Sequence, residues 1–414
     1  MKKIIFFLII TLYLNATEYN SYIESRVGSR IYDNKYSKQL SVSQIRYQID
    51  VEQEYEDITF NLVSDFIADT LANEYKINLN EGKGFIDLRQ ANMELTPFEW
   101  LDLKIGRQII TWGTGDLLFI NDLFAKDWNA FLSGLNTEYL KAPSDSIKAS
   151  LFFGDAALDI VYSLQFSADR YINGDKISFF DRASNDLRGE DKILEVNRPK
   201  QFFKDDEIAM RLYQSFQGYE TALYYYKGFH KSPSSYDINT NKAGFGDLEV
   251  IGASLRGVLF NGIANAEMGY YKSEDNAKSN PFKKNSEFRW LLGYEQEIAT
   301  ELTVGVQYYE EIKRDYNEYI TALSEGAIKD DKTRKVLSLR LTKLLLKQDL
   351  KLSYFQFHSQ SDNDGYVRVN LSYKFTDNLI SEGGTNIFYG KEKHTFYKQF
   401  RENSNTYISL KYIF

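Results

Sequence analysis

The chain has 414 residues, of which 31 are Tyr and 29 are Phe, and it contains no Cys and only 3 His. A hydrophobic fraction of 43% is large enough for a folded core, which excludes a disordered chain. The absence of Cys excludes disulfide frameworks and Cys-ligated zinc, and a net charge of −8 gives no reason to expect a nucleic-acid partner.

The first residues have the pattern of a secretory signal. Lys2 and Lys3 precede an apolar run at 4–14, and Ala16 supplies a small residue at the expected cleavage point. An apolar helix of this length spans roughly 16 Å, about half of a bilayer core, which favours a cleaved signal over a membrane anchor. We therefore expect residues 1–16 to be a cleaved signal peptide and residues 17–414 to form one exported domain.

Apolar and polar residues alternate along most of this domain. Ile45, Tyr47 and Ile49 alternate with charged or amide residues, and the segments 302–308 and 367–375 repeat the pattern. A period of two is typical of β-strands with one apolar and one polar face. It predicts an all-β fold, which is either a soluble antiparallel sandwich or a barrel.

The spacing of the connections favours the barrel. Short turns are expected near 55–56, 153–155, 216–218, 261–262, 299–300, 347–349 and 376–378, and they alternate with longer connections at about 33–38, 70–83, 111–145, 166–205, 230–245, 274–285, 312–333, 360–364 and 392–403. Membrane barrels have this arrangement, with short periplasmic turns and long extracellular loops. We predict a transmembrane antiparallel up-and-down β-barrel of about 18 strands, with 16 as the alternative count. All Pro residues should lie in connections, and the 166–205 loop should be solvated.

The chain ends in a strand pattern with apolar residues at Ile408, Leu410, Tyr412 and Phe414. This pattern resembles the recognition signal of bacterial outer-membrane barrels, which implies that the barrel-assembly machinery binds through Phe414. The expected location is the bacterial outer membrane, with its lipids and lipopolysaccharide around the barrel. The many Tyr and Phe residues are expected on the lipid-facing side and in interfacial girdles.

The polar face of each strand should line the lumen, because the apolar face must contact lipid. The basic residues of this face are Arg26, Arg30, Arg46, Lys104, Lys148, Arg211, Arg256, Arg289, Arg340, Arg368, Lys374 and Lys411. The acidic residues are fewer: Glu24, Asp50, Glu52, Asp65, Asp102, Asp159 and Glu295. Guanidinium groups suit carboxylates and phosphates, so this face predicts an anion-favouring lumen. The alternative is that the charges pair across strands and only hold water.

The connection at 111–145 is acidic and contains a helical stripe. The stripe is formed by Phe124, Trp128, Phe131, Leu132 and Leu135, and Asn121 or Asp122 would cap it. We predict a partly helical constriction loop inserted into the pore, with Asp116, Asp122, Asp127 and Trp128 as its functional residues. The alternative is a cap that lies on the rim. Apart from its loops, the lumen is expected to be open.

A short motif precedes that loop. Gly106-Arg107-Gln108 is followed by Trp112-Gly113-Thr114-Gly115-Asp116. A strand with Gly-Arg-Gln that leads into a Trp-Gly loop resembles porin-like outer-membrane families, including the alginate-export type. The resemblance covers about a dozen residues, and for the export type it implies an arginine-rich, eighteen-stranded barrel that carries polyanionic chains. Arg107 departs from the pattern because it shares the parity of the lipid-facing residues. Either a bulge near Gly106 turns it into the pore, or it lies at the rim.

Together these features predict a porin for passive diffusion of small, preferentially anionic solutes. The alternative is a dedicated conduit for an acidic polysaccharide or oligosaccharide. None of His230, His358 and His394 lies in a catalytic motif, so no enzymatic activity is expected. No cofactor and no metal site are expected. The sequence leaves open whether the protein is a homotrimer or a monomer.

Overall fold

The computed structural model describes residues 17–182, 184–274 and 277–414. The predicted signal peptide, residues 1–16, lies outside the described residues. The strands are β1 (Thr17–Arg30), β2 (Leu40–Tyr55), β3 (Ile58–Asp69), β4 (Ile86–Phe98), β5 (Leu101–Gln108), β6 (Ser144–Phe153), β7 (Ala156–Ser163), β8 (Phe179–Asp181), β9 (Asp186–Arg188), β10 (Val196–Asn197), β11 (Glu207–Phe216), β12 (Tyr219–Phe229), β13 (Ser235–Asp237), β14 (Lys242–Gly244), β15 (Asp247–Leu259), β16 (Gly262–Ser273), β17 (Glu287–Ala299), β18 (Leu302–Lys313), β19 (Thr333–Leu345), β20 (Leu350–Ser359), β21 (Asp364–Lys374), β22 (Leu379–Tyr389) and β23 (Asn405–Ile413). The α-helices are α1 (Trp128–Ser133) and α2 (Tyr316–Ala322), and short 3₁₀ helices lie at Thr137–Leu140, Ala277–Ser279 and Lys398–Asn403.

The long strands form one closed antiparallel barrel. An 18-stranded sheet contains all strands except β8, β9, β10, β13 and β14, which form two small sheets in the loops. Each barrel strand pairs with its neighbours along the chain, and β1 pairs with both β2 and β23. The predicted up-and-down barrel is therefore confirmed, with the higher of the two strand counts.

The two ends of the barrel differ in their connections. At one end, which we call the turn end, the connections are short, for example 56–57 and 154–155. At the other, which we call the loop end, they are long, for example 109–143 between β5 and β6. The predicted alternation of short turns and long loops is confirmed. The sequence analysis did not predict the turn at 99–100, between β4 and β5.

Pro97 corrects the prediction that all Pro residues lie in connections, because it lies inside β4. The pairing of β4 with β5 shifts in register between Leu95 and Phe98. Pro97 therefore lies at a bulge, where the ladder does not require an N–H donor from the strand.

The outer surface of the barrel is apolar. Ile45, Leu223, Ile251 and Leu292, from strands around the circumference, have exposed fractions between 50% and 62%. At the turn end, aromatic rings form an exposed girdle that includes Phe98, Trp100, Phe216, Phe260, Phe375 and Phe414. A continuous exposed apolar belt with an aromatic border is the surface of a barrel that spans a membrane. No helix in the described part of the chain is long and apolar enough to cross a membrane.

Aromatic residues also fill the interior at the loop end, which corrects the expectation that they lie on the lipid side. The buried inward rings include Tyr224, Tyr271, Tyr309, Phe355, Phe357, Tyr366 and Phe388. They pack around Phe124 and Phe131 of the connection between β5 and β6. Because that connection covers them, these rings are removed from water without facing lipid. The interior is packed in the loop half rather than open throughout.

The connection between β7 and β11 is not the solvated loop that the sequence suggests. Phe166, Asp169, Arg170 and Ile177 are buried. Phe166 packs on Phe229 and Phe245 at the mouth of the barrel. This connection therefore closes over the loop end, and its charged residues Asp169 and Arg170 are buried there rather than solvated.

Candidate constriction site

The connection 109–143, which we call the inserted segment, crosses the interior of the barrel. Its backbone carbonyls accept hydrogen bonds from Arg26 of β1 (2.7 Å), Arg89 of β4 (2.8 Å) and Arg368 of β21 (2.9 Å). Its backbone N–H groups donate to Glu267 of β16 and Gln307 of β18. A segment that contacts strands on all sides of a closed barrel lies within it. The sequence left open whether this segment enters the pore or lies on the rim, and these contacts correspond to a segment that enters the pore.

The first part of the segment is attached to Glu267. One carboxylate oxygen accepts from Thr114 N at 2.8 Å, from Gly115 N at 3.2 Å and from Thr114 Oγ1 at 3.2 Å. The other oxygen accepts from Asn121 N at 2.7 Å and from Asn121 Nδ2 at 2.9 Å. The buried Glu267 side chain of β16 therefore holds both ends of the loop 114–121, which we call the hairpin because its two ends meet at one carboxylate.

Two glycines of the wall make room for that hairpin. Gly252 of β15 and Gly269 of β16 are direct neighbours in the register. A Cβ atom on Gly252 would lie 1.8 Å from Asn121 Oδ1, and one on Gly269 would lie 2.9 Å from Ile120 Cγ2. Any larger residue at Gly252 would displace Asn121 from the wall.

The tip of the hairpin reaches strands farther round the barrel. Asp116 pairs with Arg340 of β19, with one Nη2 to Oδ1 distance of 2.8 Å. The Gln307 side chain accepts from Asp116 N at 2.7 Å and donates to Asp116 O at 2.9 Å. Asp116 and Arg340 remain partly exposed, so this pair is a charged element of the segment that faces water.

The second part of the segment contains the short helix α1. The Asp127 side chain caps it by accepting from Ala130 N at 2.8 Å, and Gly134 ends it with a φ of 89°. The sequence-based cap at Asn121 or Asp122 is wrong, and the helix is shorter than the apolar stripe. Residues before Asp127 instead follow the wall, where Asn121 binds Glu267.

Buried charges hold the segment against β2, β3 and β4. Arg46 pairs with Asp65, and both side chains are buried. The Tyr139 ring lies between two guanidinium groups, with its centroid 4.1 Å from Arg46 Cζ and 4.8 Å from Arg89 Cζ. Burial raises the pKa of the Tyr139 phenol to about 12, so this ring stays neutral and stacks between the two cations.

Arg170, from the connection after β7, joins the segment to the wall. It donates to Asp87 of β4 at 2.6 and 2.8 Å and to Asp127 at 3.1 Å. Burial alone would lower the pKa of Arg170, but the charges of Asp87 and Asp127 raise it above the usual range. The neighbouring Asp169 accepts from Lys126 N and Trp128 Nε1 at 2.7 and 3.0 Å. Burial raises the pKa of that carboxyl.

The predicted constriction residues therefore differ in their surroundings. Asp116 is partly exposed to the lumen, whereas Asp122 is buried and pairs with Lys126 at 2.8 Å. Asp127 caps α1 and contacts Arg170, and Trp128 is tied to Asp169. Asp116 alone of these four combines a charge with clear exposure to the interior.

The inward face in the turn half carries a cluster of bases, Lys104, Lys148 and Arg211, which we call the basic wall patch. Their side chains are between 20% and 29% exposed. Lys104 pairs with Glu94 at 2.5 Å, while Lys148 and Arg211 share the buried Asp159 at 3.7 and 2.9 Å. Lys104 and Lys148 are directly opposite each other across β5 and β6. Two like charges in this position are unfavourable unless anions lie near them.

The structure places the other sequence-predicted basic residues on the inward face, except Arg107. Arg256, for example, is in register with Asn265, which donates to Thr114 in the inserted segment. Arg289 lies over the buried Tyr271 ring at 4.0 Å. The residues placed inward are Arg26, Arg30, Arg46, Lys104, Lys148, Arg211, Arg256, Arg289, Arg340, Arg368, Lys374 and Lys411.

Arg107 corrects the interpretation that a bulge turns it into the pore. It is in register with Asp145, whose side chain is 66% exposed on the outer face. Gly106 does have an unusual φ of 123°, but no register shift occurs at Arg107 on either side. Arg107 donates to Leu79 O and Leu88 O, both at 2.6 Å. It therefore lies at the rim, beneath the loop between β3 and β4.

The charge count of the interior also needs correction. Further inward acids, missed in the sequence, are Asp87, Glu94, Glu207, Glu220, Glu267, Glu287, Glu311, Asp364 and Glu382. The further inward bases are fewer than these acids, namely Arg89 and Arg334. Many of these residues lie near strand ends or in strands with weak alternation, such as β16, where Gly and Ala give little parity signal. The interior as a whole is not basic.

Comparisons with known proteins support the architecture. No sequence-family profile matches the chain, and no curated protein matches it. Among solved structures, Acinetobacter baumannii OccAB4 is 11% identical over 97% of this chain and 98% of that chain, with a TM-score of 0.57. Pseudomonas aeruginosa OccK3 is 8% identical over 96% and 95%, also with a TM-score of 0.57. P. aeruginosa OccK11 is 10% identical over 96% and 95%, with a TM-score of 0.53. The chain has the fold of these bacterial porin barrels.

Proposed function

We propose that the protein is a passive diffusion channel of the bacterial outer membrane. The observation that carries the proposal is a closed barrel with an apolar outer belt, whose interior is narrowed by a segment anchored to its own wall. The turn half below that segment has polar, partly exposed side chains. Such an interior gives small polar solutes a path that the segment restricts by size.

The same proposal covers the surroundings of the barrel. The aromatic girdle at the turn end suits the periplasmic interface of an outer membrane, with lipopolysaccharide around the loop end. Phe414, exposed at the end of the last strand, is the position through which the barrel-assembly machinery would bind.

We further propose a modest preference for anions, based on the basic wall patch rather than on the whole interior. Most inward acids of the loop half are buried in ion pairs or hydrogen bonds, so they present little charge to a solute. In the patch, Lys104, Lys148 and Arg211 are partly exposed and share two carboxylates, Glu94 and Asp159. One of these carboxylates, Asp159, is fully buried. The local excess of positive charge lowers the barrier for anionic solutes.

Reversal potentials in a KCl gradient test this preference. We expect the wild type to favour chloride over potassium moderately. In the double variant Lys148→Gln, Arg211→Gln, the ratio of chloride to potassium permeability should fall to unity or below. The matched control, Lys242→Gln, changes an exposed base in an extracellular hairpin and should leave the ratio unchanged. Cation preference in the wild type contradicts the proposal on anions, while an absence of current contradicts the channel itself.

The alternative function is a dedicated conduit for an acidic polysaccharide or oligosaccharide. The packing of aromatic rings around the inserted segment across the loop half leaves little width for a polymer chain. The geometry therefore favours a channel for small solutes over such a conduit.

A further inference from the structure

The five hydrogen bonds on Glu267 have an unusual source. All of the donors are uncharged, and all come from Thr114, Gly115 and Asn121 of the inserted segment. Three of them are backbone N–H groups. Successive backbone N–H groups that converge on one point form a nest, which is a common way for proteins to bind anions. Neutral donors to both oxygens match the two-oxygen shape of a carboxylate.

The nest is held in place by contacts that do not involve Glu267. Gly113 has a φ of 82°, which turns the following N–H groups toward one side. Asn265 donates to Thr114 O at 2.9 Å, and the Tyr271 hydroxyl donates to Ile120 O. Gln307 and Arg340 hold the hairpin tip at Asp116. The donors should therefore keep their arrangement when the carboxylate is removed.

The nest also has an accessible side. Glu267 is 3% exposed, but Thr114 and Gly115 are only partly buried, and they border the turn half of the lumen next to Asp116. The negative charge of Asp116 is compensated by Arg340, so it does not exclude a small anion from this edge.

We propose that residues 114–121 form a carboxylate-binding nest, that Glu267 is its resident, chain-borne ligand, and that free small carboxylates bind there when Glu267 is absent. The nest is distinct from the basic wall patch because it recognises its ligand with neutral donors. The inference depends on the proposed channel only for its readout, which is the ionic current.

The test is chemical rescue of Glu267→Ala in planar bilayers. In KCl, the variant should conduct more than the wild type, because the hairpin loses its five hydrogen bonds to Glu267 and, held only by its remaining contacts with β16, β18 and β19, moves more within the lumen. Replacing chloride with acetate or formate at constant ionic strength should return the conductance toward the wild-type level in a saturable manner. Heat-modifiable migration on gels establishes that the variant is folded.

Two control variants make the result specific. Glu295→Ala removes an exposed inward carboxylate of β17 and reports any general effect of acetate on the pore. Glu267→Gln keeps the nest filled and should show no response to acetate beyond that of Glu295→Ala. The proposal is overturned if Glu267→Ala responds to acetate no more than Glu295→Ala does. A wild type without any current would instead contradict the proposed channel.

Discussion

Replacing residues 116–140 with a short Gly-Ser linker should raise the single-channel conductance several-fold. The linker removes α1, the hairpin tip and most of the apolar core that fills the loop half of the barrel. The wall should survive, because its strands are joined by a continuous backbone ladder that does not include the inserted segment. The inward aromatic rings would then border a wider, water-filled passage.

A matched deletion separates this effect from a general disturbance of the loops. Residues 238–240 form the exposed tip of the β13–β14 hairpin, and removing them should leave the conductance at the wild-type value. Equal conductance of the wild type and the 116–140 replacement would show that the inserted segment does not limit the pore.

The substitution Arg170→Met should release the inserted segment from the wall at a cost of about 3–5 kcal/mol, the usual penalty for removing one partner of a buried ion pair. The change leaves the buried Asp87 and the partly buried Asp127 without their shared cation. The strands need not unfold, because Arg170 lies in a connection. Urea titration followed by Trp fluorescence measures the effect, since Trp112 and Trp128 both lie in the segment and lose their packed surroundings when it is released.

Lys242→Met is the comparison for this prediction. Lys242 pairs with Glu195 at 3.2 Å on the exposed surface, and the loss of such a pair costs less than about 1 kcal/mol. If Arg170→Met and Lys242→Met shift the urea midpoint equally, the buried cluster does not hold the segment in place.

The sequence predicted the barrel well because alternation is imposed by the environment of every strand. A lipid-facing position must be apolar, and the next residue along the strand points into the barrel. The inward direction of Arg46 and Arg211 therefore follows from their apolar neighbours Ile45 and Leu212. The alternation of short turns with long loops then distinguishes a membrane barrel from a sandwich. Arg107 was misread because Gly106 suggested a bulge, whereas the backbone bends there without changing parity.

The interior of the loop half was not predictable by the same reasoning. Whether an inward aromatic ring such as Tyr271 is wet or packed depends on where residues 109–143 fold, and that is decided by long-range contacts with Glu267 and Arg170. The signal available in the sequence was the pair of inward glycines, Gly252 and Gly269. Glycine inside a strand often marks a place where another part of the backbone or a ligand approaches closely. A lone inward Glu gives no such signal until its donors are known.

Liposome swelling with neutral sugars of increasing size, using the unmodified protein, tests the central claim most directly. A passive channel narrowed by the inserted segment should admit the smallest sugars, with a steep fall in rate as the sugar becomes larger. Liposomes that swell with none of the sugars would contradict the account, because a dedicated conduit or a purely structural barrel gives that result.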